Sequence, residues 1–469
     1  PFSLTADIQT PVSDPDFTAE AKGVLNLGMI KQVYPLDDME LNGTVRADMT
    51  MAGHLSYIEK EQYDRFSASG TIALSDMKLK MKEMPDVEIK KSLFTFTPKY
   101  LQLSETTVAI GKNDLTADCR FENYMGYALK RGTLKGVLNV RSNHLNLNDF
   151  MTATTDSTAQ TSQASSTEET ASMIEVPQNI DFQMDAGLKE VLFDKMTFTN
   201  MNGKLIVKDG KVDMTNLSMN TMGGSVVMNG YYSTADPKKP EMNAGFRMEN
   251  IGFAQAYKAL DMVQQMAPIF ENLKGNFSGN MHIRTLLDNQ MSPVMDTMQG
   301  NGSLSTQDLS LSGVKVIDQI AEAVKKPELK EMKVKDMALD FTIKDGRVST
   351  KPFDIKLGDY VMNLSGSTGL DQTIDYSGKI KLPASAGDIA KLTTLDLKIG
   401  GTFSSPKVSL DTKSMTNQAV EAVTDKAISE IGKKLGLDSA TTANKDSVKE
   451  KVKEKAVEKA LDFLKKKIK

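Results

Sequence analysis

Three histidines are the first residues in this sequence that could do acid–base chemistry or bind a metal. His54, His144 and His282 are separated by 90 residues (144 minus 54) and 138 residues (282 minus 144), and each stands alone in strand-like sequence. A catalytic triad or a zinc site needs several such groups brought together. The spacing therefore predicts separate surface or half-buried histidines and no metal site.

The remaining residues that could take part in catalysis or cofactor binding lead to a similar prediction. Cys119 is the only cysteine, so no disulfide forms within one chain, and its apolar neighbours Leu115 and Ala117 predict a buried, unreactive thiol. Gly300-Asn-Gly302 lacks the third glycine and the βαβ setting of a dinucleotide site. We find no serine elbow, phosphate loop or His-Glu-x-x-His helix. We predict a protein that is not an enzyme and needs no cofactor.

Composition narrows the possible partners. The chain has 57 basic and 61 acidic residues among its 469, a net charge of −4, which excludes a generally basic nucleic-acid binder. Trp is absent, whereas Met is abundant at 29. Flexible thioethers suit either an adaptable apolar surface or a loosely packed core, and composition does not decide between them. No apolar run reaches the roughly 18 residues of a membrane span, so we expect any membrane anchor to lie upstream of Pro1.

Most of the chain alternates as β-strands do. The stretch 41–51 places apolar residues two apart, and similar runs recur near 66–74, 92–103, 132–147, 203–230 and 337–382. Asp-Gly turns at 209–210 and 345–346 punctuate them. Helical spacing is confined to a few places, which are Phe253, Tyr257, Leu260, Val263, Ala267 and Phe270, a shorter stripe of Val316, Ile320 and Val324, and the C-terminus.

The organisation that these patterns predict has five parts. Residues 152–172 are too polar and monotonous to be buried, so we predict a disordered linker. The predicted parts are an N-terminal β region at 1–151, that linker at 152–172, a middle β-repeat at 173–300 with a helix near 253–272, a C-terminal β-repeat at 301–412, and amphipathic helices at 413–469.

An internal repeat places apolar residues at matching positions in three segments of the chain. Residues 203–230 match 339–366 without a gap at an offset of 136 (339 minus 203), and match 92–119 at an offset of 111 (203 minus 92). Thr106 is the one polar residue at a matched position. Repeats of this kind stack on one another, so we predict a long antiparallel sheet of roughly 25 strands. The predicted lining of its apolar face is Phe94, Phe96, Leu101, Val108, Leu115, Leu205, Val207, Val212, Leu217, Met219, Val226, Met228, Phe341, Ile343, Val348, Phe353, Ile355, Met362 and Leu364.

An apolar face of this kind must be covered by something. A second sheet would give ordinary sandwiches. The sequence, however, offers few helices as covering material, and polar outward positions such as Lys204, Lys208 and Asp213 leave only the inner faces to pack. A sheet curled into a U-shaped apolar groove that is filled by acyl chains fits the same pattern.

Several motifs resemble the AsmA family. Residues 300–313 (GNGSLSTQDLSLSG) resemble the opening of its C-terminal region, followed by 341–348 (FTIKDGRV), 364–369 (LSGSTG) and a closing 397–408 (LKIGGTFSSPKV). The stretch 176–300 is similar to Bacteroidetes-type members. The order of these motifs along 300–410 carries the resemblance. It implies a U-shaped β-groove, kinship with TamB-like and eukaryotic bridge-like lipid-transfer proteins, a periplasmic location with an upstream inner-membrane helix, and a part in outer-membrane biogenesis.

Three function classes follow. The first is a non-enzymatic protein that handles or conducts phospholipid between the inner and outer membranes along an apolar β-groove. The second is a structural envelope scaffold that docks partner proteins through its sheet edges. A polysaccharide-active β-solenoid enzyme is third, but the paired carboxylates and aromatic platforms that it needs are not found in the sequence.

The C-terminal tail carries a second candidate site. From Lys445 to Lys469 there are ten Lys against five acidic residues, and apolar residues at helical spacing predict an amphipathic helix. This helix could cap the last strand or contact an anionic membrane surface. The candidate membrane-contact residues are Leu461, Phe463, Leu464, Lys465, Lys466, Lys467 and Ile468.

Overall fold

The protein is mainly β, with few helices, in a computed structural model. The structure describes residues 2–10, 12–32, 39–60, 62, 65–81, 84–128, 130, 132–153, 173–311, 313–323, 327, 330, 333–334, 337–381 and 394–411. Within these ranges, 23 strands belong to one unclosed, predominantly antiparallel sheet. The chain forms two compact units, the first Pro1–Arg247 with His282–Val294 and the second Met248–Met281 with Met295–Lys469.

The first unit is built on a meander in which nearly every strand pairs with the next. Its strands are β1 (Phe2–Gln9), β2 (Asp16–Asn26), β3 (Met39–His54), β4 (Ser67–Met81), β5 (Met84–Phe96), β6 (Tyr100–Ile110), β7 (Asn113–Glu122), β8 (Leu134–Ser142), β9 (Leu145–Asn146), β10 (Ile180–Phe193), β11 (Met196–Lys208), β12 (Lys211–Thr221) and β13 (Gly224–Ser233). β14 (Glu241–Gly252) and β15 (Leu273–Leu286) follow, each with residues in both units.

One junction departs from the antiparallel sheet that the sequence predicts. β8 and β9 pair with β10 in parallel, whereas the pairs from β1 to β8 and from β10 to β13 are antiparallel. A parallel pair cannot be joined by a hairpin and needs a long crossover. The predicted linker at 152–172 lies within this crossover. Only residues 152 and 153, at the end of the helix Asn148–Ala153, are among its described residues.

The second unit continues with eight strands and one longer helix. The strands are β16 (Gln299–Leu311), β17 (Lys333–Val334), β18 (Ala338–Lys344), β19 (Arg347–Leu357), β20 (Tyr360–Gly369), β21 (Ile374–Lys381), β22 (Thr394–Gly401) and β23 (Pro406–Asp411). From β18 onward each strand pairs antiparallel with its successor. Among the described residues, the α-helices in chain order are α1 (Leu55–Glu59), α2 (Tyr124–Ala128), α3 (Asn148–Ala153), α4 (Phe253–Ala259), α5 (Asp261–Met266) and α6 (Lys315–Ala323).

The sequence repeat corresponds to a repeated three-strand meander. Residues 92–119, 203–230 and 339–366 fall on β5–β7, β11–β13 and β18–β20 respectively. The correspondence includes a bulge in the middle strand, between Leu103 and Thr106, between Met214 and Leu217, and between Thr350 and Phe353. These three sites coincide at the offsets of 111 and 136. The repeat is therefore structural as well as sequential.

The predicted helix near 253–272 forms as shorter pieces. α4 ends before Leu260, α5 ends before Ala267, and a 3-10 turn occupies Pro268–Asn272. Leu260 and Ala267 have non-helical backbone angles, which break the continuous stripe. Phe253, Phe270 and Phe277 still pack together, with ring centroids 4.8 to 5.6 Å apart. The sequence located the apolar residues but not the breaks.

Candidate functional site: an apolar face

Two rows of apolar residues and glycines cross the first unit from β1 to β13. Cross-strand pairing defines them, because paired residues lie on the same face of a sheet. The first row is Phe2, Gly23, Ala47, Ile72, Phe94, Leu103, Cys119, Leu138, Met184, Leu205, Met214 and Gly230. The second is Leu4, Ala21, Met49, Gly70, Phe96, Leu101, Phe121, Gly136, Phe182, Val207, Val212 and Tyr232. Together these rows form the apolar face.

Burial along the apolar face depends on side-chain size in an unusual way. The small side chains of Ala21, Ala47 and Cys119 are buried, at 6, 3 and 4% exposure. The large ones, such as Phe94, Leu138 and Phe182, are only half-buried. In a closed core the large residues are the ones that lose their exposure. A sheet face that is not covered by other protein shows the reverse, because its large side chains cover the small side chains beside them. The described residues therefore leave this face without a covering layer.

The opposite face of the same strands is mostly polar and mostly exposed. Its central row reads Ser3, Lys22, Asp48, Thr71, Thr95, Gln102, Arg120, Val137, Gln183, Ile206, Asp213 and Tyr231. Ion pairs cross the strands, with Lys208 Nζ 2.9 Å from Asp181 Oδ2 and Arg141 Nη2 2.9 Å from Asp185 Oδ1. The sheet is thus amphipathic over its whole width in this unit.

Local packing shows how the apolar face accommodates large rings. Gly136 lies between Phe121 and Phe182, whose ring centroids are 5.7 Å apart. A Cβ at Gly136 would stand only 3.0 Å from a carbon of each ring. Glycine is needed here because the two rings close over the space that a side chain would fill.

The predicted lining residues all lie on strands and none is exposed. Leu217, Met219, Val226, Ile343, Met362 and Leu364 are buried, and the others are half-buried. Phe94, Phe96, Leu101, Leu205, Val207 and Val212 belong to the two rows. Val108 pairs with Leu115, Leu217 with Met228 and Met219 with Val226. Whether these side chains line a lipid site stays a prediction.

Sequence reasoning missed the residues that join the repeats into one face. Leu138 on β8 and Met184 on β10 link the first repeat to the second, and Phe121 and Phe182 do the same in the neighbouring row. These strands alternate in sequence but lie outside the repeated segment. Their pairing is parallel and distant in sequence, so no local signal predicted it.

The structure also explains Thr106, the one polar residue at a matched position of the repeat. Thr106 is buried at 6%, and its Oγ1 lies 2.8 Å from Oγ of Ser92, which is buried at 1%. The equivalent pairs in the later repeats are Gly203 with Leu217 and Leu339 with Phe353. The first repeat therefore satisfies a buried hydroxyl with a second hydroxyl.

Both rims of the apolar face are ordered by local structure. At one rim α1 and α2 bring Ile58 and Met125 into a cluster with Phe66 and Ala68. At the other, the Asp114 carboxylate accepts hydrogen bonds from the backbone N–H groups of Asn143 and His144. Burial tends to raise the pKa of Asp114, but these hydrogen bonds and the Asn143 side chain outweigh it, so the pKa is lowered. The carboxylate therefore stabilises the turn that leads into β9.

The chemically capable residues are dispersed, as the spacing predicted for the histidines. His54 Nδ1 lies 3.5 Å from Asp14 at one rim, and His144 Nδ1 lies 2.6 Å from Glu190 at the other. Cys119 is buried as predicted, and desolvation followed by the Asp118 charge raises its pKa to about 11. The part of the chain that the structure describes holds no cluster of three or more metal-binding side chains.

The second unit also pairs apolar residues at predicted positions. Ile343 pairs with Val348, Phe353 with Leu364 and Ile355 with Met362. Further along, Leu364 pairs with Gly378, and Gly378 with Leu397. Several of these residues are fully buried, in contrast to the large side chains of the first unit.

The candidate membrane-contact residues from Leu461 to Ile468 lie outside the described residues. Among the described residues, no helix has the length and apolarity to cross a membrane. Comparison of the chain with protein-family models, with curated proteins and with solved structures found no match.

Proposed function

We propose that this protein binds the acyl chains of phospholipid along the apolar face and conducts them between membranes of the cell envelope, without catalysing a reaction. The observation that carries the proposal is the row of half-buried large side chains that no described element covers. Exposed apolar patches above a few hundred Å² are unusual on soluble monomers and mark binding surfaces. Between β1 and β13 the strand spacing gives a face about 50 Å wide.

The chemistry of the face supports a hydrocarbon ligand. Its two rows carry no charged side chain, and their polar atoms are limited to the thiol of Cys119 and the hydroxyl of Tyr232. Tyr232 donates that hydroxyl to the backbone oxygen of Ile174, 2.7 Å away. A surface without hydrogen-bond partners favours alkyl chains over sugars or peptides, since burying polar ligand groups there would cost several kcal/mol. The abundant methionines, including Met49, Met184 and Met214, can adapt to variable chains.

The place of action is part of the same proposal. The AsmA-like motifs support a periplasmic protein that bridges the inner and outer membranes, is anchored through a helix upstream of this chain, and serves outer-membrane biogenesis. The lysine-rich tail from Lys445 to Lys469 supports contact with an anionic membrane surface or, as the alternative, a cap on the sheet.

Lipid content after gentle purification tests the proposal. Native mass spectrometry, with thin-layer chromatography of an organic extract, should show phospholipid bound to the protein. Folded, monodisperse protein that carries no lipid and takes up no fluorescent phospholipid would contradict it.

A second function, an envelope scaffold that docks proteins through its sheet edge, has one observation in its favour. On β1 the side chains of Leu4 and Ile8 are 70 and 59% exposed, although they lie on the apolar face. An edge strand with such residues can accept a further strand from a partner. Replacing both with Lys should abolish docking of a partner strand, and docking that survives the replacement would contradict this function.

A further inference from the structure

Six deeply buried residues of the second unit form a diagonal stripe across its sheet. Each is 1% exposed, and they are Leu309, Val334, Leu357, Met362, Ile380 and Leu397. Cross-strand pairing places the first three in one row, the next two in a neighbouring row, and Leu397 in the row after that. The stripe thus starts at the end of β16 and moves one row along the strands as it approaches β23.

Helix α6 is anchored at both ends of this stripe. It starts four residues after Leu311, the last residue of β16. Lys315 Nζ donates to the Ser404 oxygen at 2.8 Å, just before β23. Gln319 Nε2 donates to the Pro406 oxygen at 3.0 Å, and Gln319 Oε1 accepts from the Val408 N–H at 3.2 Å. The amide of Gln319 thereby occupies the edge of β23 as a neighbouring strand would.

These anchors require the sheet of this unit to curl. Val408 is linked by successive pairings to Gly302, nine residues before Leu311 on β16. In a flat sheet Leu311 would lie about 30 Å along the strands and about 29 Å across them from Val408. The four residues from Leu311 to Lys315 span at most ~14 Å. The curl brings the two corners toward each other, and α6 links them through its chain connection to Leu311 and its hydrogen bonds to the β23 end.

One side of α6 is apolar and buried. Ile317, Ile320 and Ala321 are buried at 7% or less, as is Val314 just before the helix, whereas Lys315 and Glu322 are exposed. Of the helical apolar positions predicted from the sequence, Val316, Ile320 and Val324, only Ile320 is among these buried residues. Val316 is half-buried, and Val324 lies outside the described residues. The helix that links the two corners therefore has an apolar side that is buried within this unit.

We propose that the stripe beneath α6 is a second acyl-chain site, which α6 covers as a displaceable strap. The inference rests on the proposed lipid function. Hydrocarbon chains offer the stripe the same apolar contacts as Ile317 and Ile320. A helix of nine residues is marginal without its packing, and α6 is tied to the β23 end by three side-chain hydrogen bonds. Lipid and helix compete for one surface, so α6 sets how much of the face is available.

Tryptophan reporters can test this proposal, because the chain contains no Trp. Leu138→Trp reports on the first unit, and Phe353→Trp reports beside the stripe. The probe is phosphatidylcholine with brominated acyl chains, which quenches Trp on contact. Releasing α6 with Lys315→Ala and Gln319→Ala should lower the lipid concentration for half-maximal quenching at Phe353→Trp about tenfold, equivalent to ~1.4 kcal/mol. Glu322→Ala is the matched control, because it removes an ion pair on the exposed side of α6 (Lys330 Nζ to Glu322 Oε1, 3.2 Å) but leaves the hydrogen bonds to β23, so quenching should not change.

Locking α6 gives the opposite test in protein with Gln319 intact. Lys315→Cys and Ser404→Cys, in a Cys119→Ser background, can be joined by a reductively cleavable bis-maleimide. Quenching at Phe353→Trp should fall when α6 is cross-linked and return after reduction. If it is equal in locked, native and released protein while Leu138→Trp is quenched, the strap is wrong and the lipid function stands. If neither reporter is quenched in any state, the lipid function fails as well.

Discussion

At the residue scale, the buried pair of Ser92 and Thr106 shows why one repeat tolerates polar side chains on its apolar face. Ser92 Oγ and Thr106 Oγ1 are 2.8 Å apart, and Thr106 also reaches the Ser104 oxygen at 3.3 Å. The cost of burying a hydroxyl is met only while its partner remains. The pair therefore acts as a unit whose two members are best replaced together.

Replacing one member should cost more than replacing both. Thr106→Val leaves the Ser92 hydroxyl without its acceptor, so we expect the free energy of unfolding to fall by about 1–3 kcal/mol. The double variant Ser92→Ala with Thr106→Val should recover part of that loss. Urea denaturation of the single and double variants measures the coupling. Strictly additive effects would show that the pair contributes nothing as a unit.

The hydrogen bonds of Asp114 make the free energy of unfolding depend on pH. Its folded pKa lies below the ordinary value of 3.8, so the stability that it contributes is present above that pH. This contribution is lost as the pH falls through the folded pKa. In Asp114→Asn, the free energy of unfolding should be lower at neutral pH and should fall less steeply below about pH 4. Identical acid profiles for the two proteins would mean that the turn at 143–144 does not depend on this carboxylate.

Much of the lining could be predicted at this scale because alternation is local. Val212 and Leu217 were both assigned to one face although five residues separate them, and the bulge at Asn216 explains how they share it. The hydroxyl pairing of Thr106 was not predictable, since Ser92 lies on a different strand. Residues that satisfy one another across strands leave no periodic signal.

At the element scale, the recurring bulge is the feature that keeps the repeats in phase. Glu105 and Asn216 occupy equivalent positions with φ of 52° and 49°, and Pro352 stands at the third. Left-handed backbone is tolerated best by Gly and Asn, and a proline without an N–H fits where the ladder is interrupted. The first two repeats therefore share a left-handed residue at the bulge, whereas the third interrupts the ladder with a proline, whose φ is fixed at a negative value.

Asn216 tests the value of that geometry. Asn216→Ala should lower the free energy of unfolding by about 1 kcal/mol, because alanine disfavours positive φ, whereas Asn216→Gly should be nearly neutral. Asn220→Ala, at an exposed position on the same strand, serves as the control for loss of an amide. Equal effects of Asn216→Ala and Asn220→Ala in thermal or urea unfolding would show that the positive φ at the bulge does not disfavour alanine.

Element types were more predictable than element partners. The Asp-Gly turns at 209–210 and 345–346 join β11 to β12 and β18 to β19, and all four residues have positive φ as such tight hairpin turns require. The parallel pairing of β8 with β10 could not be predicted, because it links strands across the polar segment at 152–172. The breaks at Leu260 and Ala267 also depend on tertiary packing.

At the scale of the whole molecule, the central feature is the amphipathic sheet of the first unit, whose apolar side the described residues leave without a covering layer. In the first unit the two rows run without a charged residue from β1 to β13, and their large side chains remain half-exposed. In the second unit α6 is the proposed cover. A sandwich would have shown the large residues buried throughout.

Two adjacent apolar residues on β8 allow the most direct test, because they lie on opposite faces of the sheet. Leu138 belongs to the apolar face, whereas Val137 is 56% exposed on the polar one. With brominated phosphatidylcholine, fluorescence from Leu138→Trp should be strongly quenched and that from Val137→Trp should be unchanged. Equal quenching of the two reporters, or none in folded protein, would contradict the claim that this face binds lipid.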